Sequence, residues 1–339
     1  MNPQLKRVLI WLGYAAGYLF ALLLFAYLTF PYDRLKERIV GEFNAHQTGP
    51  NPTRLELDEL KSYWFSGIKA EGVRLISPSP PPTDPSKKPD KPKVMSIDSA
   101  HARLSLLSLL IGHHVITFGA DAFGGNVSGE IADSDVERNV EVDLDEVDLA
   151  QVPLVADVIG LPASGKLSGS IQLTTPEARL GKGEGKLSLK IAGLGVGDGK
   201  AKIKDMIAPP RIDAGELVLD AEVKGGQLKI TQFSATGPDL EFSADGTVRL
   251  RDQPDLSSLS LSAKFKFTDH YANKNEVTKG LLGSEGAPGL FDLDPKNRRA
   301  KQADGFYGWR VSGTLSKPSF TPHGGGEAST PRRPKAPTH

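Results

Sequence analysis

The chain has 339 residues, with 41 basic and 41 acidic side chains, so its formal net charge is zero. This balance lacks the basic excess that recruits nucleic acid, and we expect no nucleic-acid partner. Cysteine is absent, which excludes disulfides, thiolate metal sites and cysteine nucleophiles. Glycine (36) and proline (25) are abundant and aromatic residues make up 7%, which favours many short strands joined by turns.

The first predicted element is a membrane-spanning helix over residues 8–30, a run without charge. Roughly 20 apolar residues suffice to cross a bilayer core. The run is longer than the apolar region of a cleaved signal, and Phe30-Pro31-Tyr32 offers no A-x-A cleavage pattern. We therefore expect an uncleaved anchor; a buried core helix is the other interpretation. The predicted membrane-contacting residues are Val8, Trp11, Tyr14, Tyr18, Phe25, Tyr27 and Phe30.

The basic residues Lys6 and Arg7 precede this run, so the positive-inside rule predicts a cytoplasmic tail over residues 1–7 and a long domain on the far side. Directly after the anchor, Leu35, Ile39 and Phe43 recur at helical spacing. They predict a short amphipathic helix that either lies at the membrane surface or packs on the domain.

Residues 53–76 read as strands, with Trp64 and Phe65 expected to cap the first core layer. Residues 78–93 contain seven prolines and four lysines and predict a disordered, exposed loop. Helical spacing interrupts the later strands near 104–112, 151–160 and 272–283. A last strand over 305–320 is expected to stop at Pro318, and residues 321–339 to form a disordered tail.

Apolar and polar residues alternate with period two in many segments between residues 94 and 320. This pattern predicts a mainly β domain over residues 31–320, built on a long curved antiparallel sheet with a few short helices. The pattern leaves three alternatives for what covers the apolar face of this sheet. A second half of the sheet covers it in a sandwich, the chain's own helices cover it, or it forms an open groove that binds a guest such as a lipid or a partner's strand. The predicted face residues are Leu217, Leu219, Leu240, Phe242, Val248, Leu250, Phe265 and Phe267.

Catalytic and metal-binding patterns are weak. The adjacent His113 and His114 would point to opposite faces of a strand, so they are poorly placed to ligate one ion. The carboxylates between Glu141 and Asp148 could bind calcium, but a solvated strand face is the favoured interpretation. We therefore expect a protein that is not an enzyme, with no catalytic residue, metal or cofactor.

Three stretches, taken in order, resemble the type II secretion system protein N (GspN) family. The first is Phe30-Pro31-Tyr32-Asp33 directly after a single anchor. The second is Leu106 to Gly112 followed by Phe118 to Gly129. The third runs from Gly215-Glu216-Leu217 through Gly237-Pro238-Asp239-Leu240 and Gly246 to Leu250, and ends with Gly313-Thr314-Leu315-Ser316-Lys317-Pro318. The resemblance spans roughly residues 5–320, and the loop at 78–93 and the tail depart from it.

The resemblance implies an accessory component of a type II secretion system. Such a protein sits in the bacterial inner membrane with a single pass, a cytoplasmic N-terminus and a periplasmic β domain. Its partners would be membrane lipid and other secretion components. A more distant similarity to AsmA-type envelope proteins rests on the Leu-Leu-Ser-Leu-Leu and Gly-Gly-x-x-x-Gly patterns. That similarity implies a periplasmic lipid-binding or lipid-transfer protein with an apolar β groove.

Overall fold

The computed structural model describes residues 3–47, 52–78, 92–152, 155, 160–200, 208–284 and 287–324. The chain forms two compact units that divide between Leu106 and Leu107. Most of the predicted loop at 78–93, most of the predicted helix at 151–160 and the tail from residue 325 onward lie outside the described residues. The mainly β prediction is confirmed, and the strands pair antiparallel in chain order.

The first unit begins with two helices and continues with a three-stranded antiparallel meander. Its elements are α1 (Pro3–Thr29), α2 (Tyr32–His46), β1 (Arg54–Tyr63), β2 (Gly67–Ser77) and β3 (Lys93–Leu104). Helix α1 ends just before Pro31, in agreement with the bias of residues that precede proline against helical backbone. Within α1, Ile10–Thr29 is long and apolar enough to cross a membrane.

Helix α2 packs on strand β1, so of the two interpretations of this amphipathic segment the structure shows packing on the domain. The Asn44 side chain accepts a hydrogen bond from the Leu55 N–H at 2.8 Å and donates to the Leu55 carbonyl at 3.3 Å. Nearer the start of α2, the Lys36 ammonium donates to the Asp58 carbonyl at 3.0 Å.

The second unit contains one antiparallel sheet with a helical insertion. Its strands, following the short helix α3 (Leu106–Leu110), are β4 (His114–Ala122), β5 (Gly125–Asp133), β6 (Glu137–Asp148), β7 (Ala163–Pro176), β8 (Glu184–Val196), β9 (Ile212–Lys224), β10 (Gln227–Thr236), β11 (Leu240–Arg249), β12 (Ser258–Phe267), β15 (Tyr307–Thr314) and β16 (Lys317–Pro322). Between β12 and β15 lie helices α4 (Asp269–Ala272), α5 (Glu276–Leu282), α6 (Leu290–Leu293) and α7 (Pro295–Ala300), with a two-residue ladder of β13 (Gly283–Ser284) and β14 (Ala287–Pro288). Apart from that ladder, the described strands form a single layer, not a sandwich.

Tight hairpin turns set the order of the strands. Gly225 and Gly226 join β9 to β10 with φ angles of 55° and 72°, and Phe123 and Gly124 join β4 to β5 with 54° and 66°. Paired positive φ values are those of a type I′ turn, whose twist matches that of the flanking strands. Gly225 and Gly226 therefore form a two-residue hairpin turn.

Bulges shift the apolar alternation within several strands. In β6 the register changes between Leu144 and Val147, and in β8 between Ile191 and Leu194. A bulge adds one unpaired residue to one strand. Apolar residues therefore move from even to odd positions, or the reverse, while they stay on the same face of the sheet.

The end of the sheet differs from the prediction. Pro318 does not stop the last strand; it lies inside β16, opposite Gly313 of β15. This position tolerates proline because β16 pairs with β15 alone among the described strands, so the missing N–H removes no hydrogen bond to a further strand.

Candidate binding face of the sheet

The strand register gathers the apolar residues of the second unit into rows on one face of the sheet. The longest row crosses all eleven strands of the sheet, with adjacent members directly paired: Phe118, Gly129, Val142, Ile171, Leu187, Ala221, Ile230, Gly246, Leu261, Val311 and Phe320. A second row is Val147, Leu167, Ile191, Leu217, Ala235, Phe242, Phe265 and Tyr307. Cross-strand pairs of this kind stabilise a sheet and here form a continuous apolar face.

The predicted face residues all belong to this apolar face. Leu217, Phe242 and Phe265 lie in the second row, and Leu240 pairs with Phe267 at the same end of the sheet. The others are placed by the same alternation: Leu219 on β9, Val248 on β11 and Leu250 one residue beyond β11.

The apolar face is only partly covered. All eight predicted residues are half-buried. About half of the apolar residues that are buried in the described part of this unit are alanines, such as Ala214, Ala221 and Ala235. A single layer covers small side chains through its own strands, but large ones need a second layer, and here that layer is incomplete.

An aromatic cluster covers one end of the apolar face. Its members are Phe265, Phe267, Tyr271, Phe291 and Tyr307, whose ring centroids lie 5.1–6.3 Å apart in contacting pairs. Phe291 and Tyr271 come from the helical insertion, so the insertion packs on the sheet through this cluster. Nearby, Leu149 and Val155 pack with Leu194 and Ala214 in a small apolar core.

A buried carboxylate holds the insertion in place. The Asp239 side chain is fully buried, although it directly precedes Leu240 of the apolar face and strict alternation would place it on the solvent face. It accepts hydrogen bonds from the Lys274 ammonium at 2.7 Å and the Asp213 N–H at 2.8 Å, and Nδ1 of His270 lies 2.7 Å from its other oxygen. No sequence signal other than its position at a Gly-Pro-Asp turn marks this residue.

The environment of Asp239 has two opposing effects on its ionisation. Burial raises the pKa of the carboxyl, but the hydrogen bonds from Lys274, the Asp213 N–H and His270 together hold that pKa below its ordinary value of 3.8. Next to it, burial raises the pKa of Tyr271 to about 12, with a smaller contribution from the charge of Asp239. The Tyr271 hydroxyl donates to the Pro210 carbonyl at 2.9 Å. Asp239 is therefore a structural anion, not a candidate acid or base.

Beside this cluster, the last strands line an open apolar groove. Its volume is about 370 Å³ and its lining consists of Ala263, Phe265, Trp309, Val311 and Phe320. Phe320 lies on the edge strand β16 and is 59% exposed. All five lining residues are apolar, which suits a guest with an apolar chain.

The predicted membrane-contacting residues lie on or next to α1. Trp11, Tyr14, Tyr18, Phe25 and Phe30 expose their side chains, and Tyr27 is half-buried. Val8 belongs to the same helix. By contrast, the prediction that Trp64 and Phe65 cap a core layer is wrong, because the two side chains are 64% and 78% exposed.

The weak chemical patterns do not converge into a site. His113 and His114 are exposed, and the carboxylates of Glu141, Asp143 and Asp145 lie along the solvated face of β6. Among the described residues, no group of three His, Asp or Glu side chains is arranged to hold a metal ion.

Comparison with known proteins found no matching family model, no matching curated protein and no matching solved structure. The resemblance to the GspN family therefore stays a prediction from the sequence.

We predict that Asp239→Asn lowers the free energy of unfolding by about 2 kcal/mol near neutral pH, because charge-assisted hydrogen bonds to a buried carboxylate are lost. The wild-type carboxylate stabilises the fold above its unfolded pKa, and this contribution is lost as the pH falls through the lowered folded pKa. The gap between variant and wild type should therefore narrow as the pH falls below about 4. Urea unfolding of the detergent-solubilised chain checks this, with the exposed Asp245→Asn as control; an equal gap at all pH values would contradict it.

We predict that Phe242→Asp lowers the free energy of unfolding by about 3 kcal/mol, because it places an unpaired carboxylate on the apolar face. The wild-type ring makes an edge contact with Phe233, with centroids 4.9 Å apart. Ser243→Asp is the matched control, since it adds the same charge to the opposite face, across from Lys264. Equal urea midpoints for the two variants would show that the faces are assigned wrongly.

Proposed function

We propose that this protein is a membrane-anchored, non-enzymatic component of a type II secretion system of the GspN type. Helix α1 would cross the bacterial inner membrane once, with Lys6 and Arg7 on the cytoplasmic side and the strands in the periplasm. The length and hydropathy of Ile10–Thr29 support the span. The positive-inside rule supports the orientation.

The observation that carries this proposal is the broad, half-covered apolar face of the second unit. Folded proteins bury such surfaces against a partner or a ligand, because each Å² of apolar area left in water costs about 25 cal/mol. We propose that this face is the binding element and that another part of the secretion machinery occupies it. The polar face of the sheet, by contrast, is already satisfied by ion pairs such as Lys190 with Glu216 at 2.7 Å.

The apolar groove favours a second candidate function, in which the protein binds the acyl chain of a lipid. The groove beside β16 is lined by apolar residues only, and the proposed anchor keeps the protein at a bilayer that supplies lipid. The distant similarity to AsmA-type envelope proteins points the same way.

Deletion of the gene tests the secretion proposal. We expect exoproteins to accumulate in the periplasm of the deletion strain, because an accessory component would be missing. Full-length protein carrying Phe242→Asp should restore secretion less well than protein carrying Ser243→Asp, after correction for the amount of folded protein. Unaltered secretion in the deletion strain, together with no secretion component co-purifying with the wild-type chain, would contradict the proposal.

Photocrosslinking of the full chain in membranes that contain a diazirine-bearing phospholipid tests the lipid candidate. Adducts are expected on peptides from β12, β15 and β16 as well as on α1. Phe320→Glu should reduce the adducts on the strands, because it places a charge in the groove, while Ser319→Glu on the other face should not. Adducts confined to α1 would refute this candidate.

A further inference from the structure

The turn between β1 and β2 is an exposed aromatic tip without charge. It consists of Tyr63, Trp64, Phe65 and Ser66. Trp64 has a φ of 52°, a left-handed conformation that costs a bulky residue about 1–2 kcal/mol. Since Trp64 and Phe65 are both largely exposed, burial within the described part of the unit does not offset this cost.

Helix α1 shows where this tip lies. The Tyr27 hydroxyl donates a hydrogen bond to the Ser62 hydroxyl at 3.1 Å, and the Tyr27 ring centroid lies 5.9 Å from that of Phe65. Tyr27 is two residues from the end of α1 at Thr29, or about 3 Å along the helix axis. The tip therefore lies beside the last turn of the proposed membrane span.

The contacts of α2 give the direction of the hairpin. As the chain leaves α1, Lys36 contacts the carbonyl of Asp58, and further on Asn44 contacts Leu55. The residues of β1 that α2 contacts thus lie farther from the tip as α2 proceeds away from α1. At about 3.3 Å per residue, the far end of the hairpin lies about 30 Å from the tip. The aromatic end of the hairpin therefore lies next to the end of α1, and the opposite end of the hairpin lies away from α1.

Within the hairpin itself, charged side chains begin two residue pairs beyond the turn, while Arg103 of the neighbouring β3 pairs with Gly67 at the level of the turn. Lys61 lies opposite Lys69, and these lysines pair with Glu59 and Glu71 at 2.7–3.3 Å. The hairpin therefore changes from aromatic to charged over about 7 Å. This gradient matches the boundary of a bilayer, where aromatic rings lie at the headgroup level and charges lie in water.

We propose that Trp64 and Phe65 insert into the interfacial layer of the bilayer that α1 crosses, on the side of the strands. The proposal rests on the membrane span given under Proposed function. The insertion provides a second membrane contact next to the anchor and fixes the tilt of the hairpin, which a single helix leaves free. It also explains why two large aromatic residues stay exposed at a strained turn.

The absence of cysteine makes single-cysteine labelling of the full chain direct. Three variants are made: Phe65→Cys at the tip, Val94→Cys at the far end of the meander and Leu19→Cys within α1. Val94 pairs with Ile76, which in turn pairs with Arg54 at the start of β1, and its side chain is exposed. Each variant receives a nitroxide label in nanodiscs of phosphatidylethanolamine and phosphatidylglycerol, and its collision rates with oxygen and with a water-soluble nickel complex are measured.

The expected result is that the labels at 19 and 65 favour oxygen and the label at 94 favours the nickel complex. If the label at 19 favours oxygen but the label at 65 is as accessible to nickel as the label at 94, the tip proposal is overturned and the span stands; a protein partner would then be the better candidate for the tip. If the label at 19 favours nickel, the span fails, and with it the basis for the tip.

Tryptophan fluorescence gives a second test that leaves Phe65 in place. The chain has three tryptophans, and Trp11→Phe with Trp309→Phe leaves Trp64 alone. Brominated lipids quench a tryptophan that contacts them, so they should reduce Trp64 emission relative to unbrominated lipids. Emission that is equal in the two lipids would overturn the proposal.

Discussion

The structure of the second unit depends on one constraint: a single antiparallel layer carries most of its large apolar side chains on one face, with few exceptions such as Val218. The rows from Phe118 to Phe320 and from Val147 to Tyr307 show how completely the register enforces this. A layer alone cannot bury residues such as Phe242 or Leu217, and both remain half-buried. This partial exposure of the face is the physical basis for the proposal that the protein is a binding module.

The helical insertion covers part of the apolar face, and the buried carboxylate of Asp239 fixes the position of the insertion. Asp239 joins the start of β9, the turn before β11 and the segment of α4 and α5 through bonds to Asp213, His270 and Lys274. A carboxylate with these partners is costly to move, because any displacement leaves a charge unpaired in the protein. The aromatic cluster around Phe265 and Phe291 therefore covers one end of the sheet only, and the groove beside β16 stays open.

In the first unit, the hairpin of β1 and β2 changes in polarity along its length, starting from the turn beside the end of α1. Uncharged aromatic residues lie beside Tyr27, and ion pairs such as Lys61 with Glu59 follow above them. Helix α2 packs along β1 and holds the hairpin parallel to this gradient. Helix α2, whose amphipathic pattern also suited a position on the membrane surface, thus packs on strand β1.

The sequence by itself determined the long apolar N-terminal helix, the mainly β class, the antiparallel order and the side of the sheet on which Leu217, Phe242 and Phe265 lie. These features depend on composition and on local periodicity, which a chain carries in consecutive residues. The resemblance to a secretion family came from the order of short motifs and is independent of the geometry.

Only the tertiary structure decided the features that depend on distant residues. Period two placed Asp239 on the solvent face, but Lys274 and His270, more than 30 residues away, make its burial stable. Strict alternation likewise overlooked the bulges after Leu144 and Ile191, because beyond one inserted residue the apolar face is occupied by odd positions in place of even ones, or the reverse. Trp64 and Phe65 looked like core residues by type, but they lie in the turn between β1 and β2, where no other part of the described unit covers them. Whether an apolar residue is covered depends on what packs over it, and local sequence does not encode that.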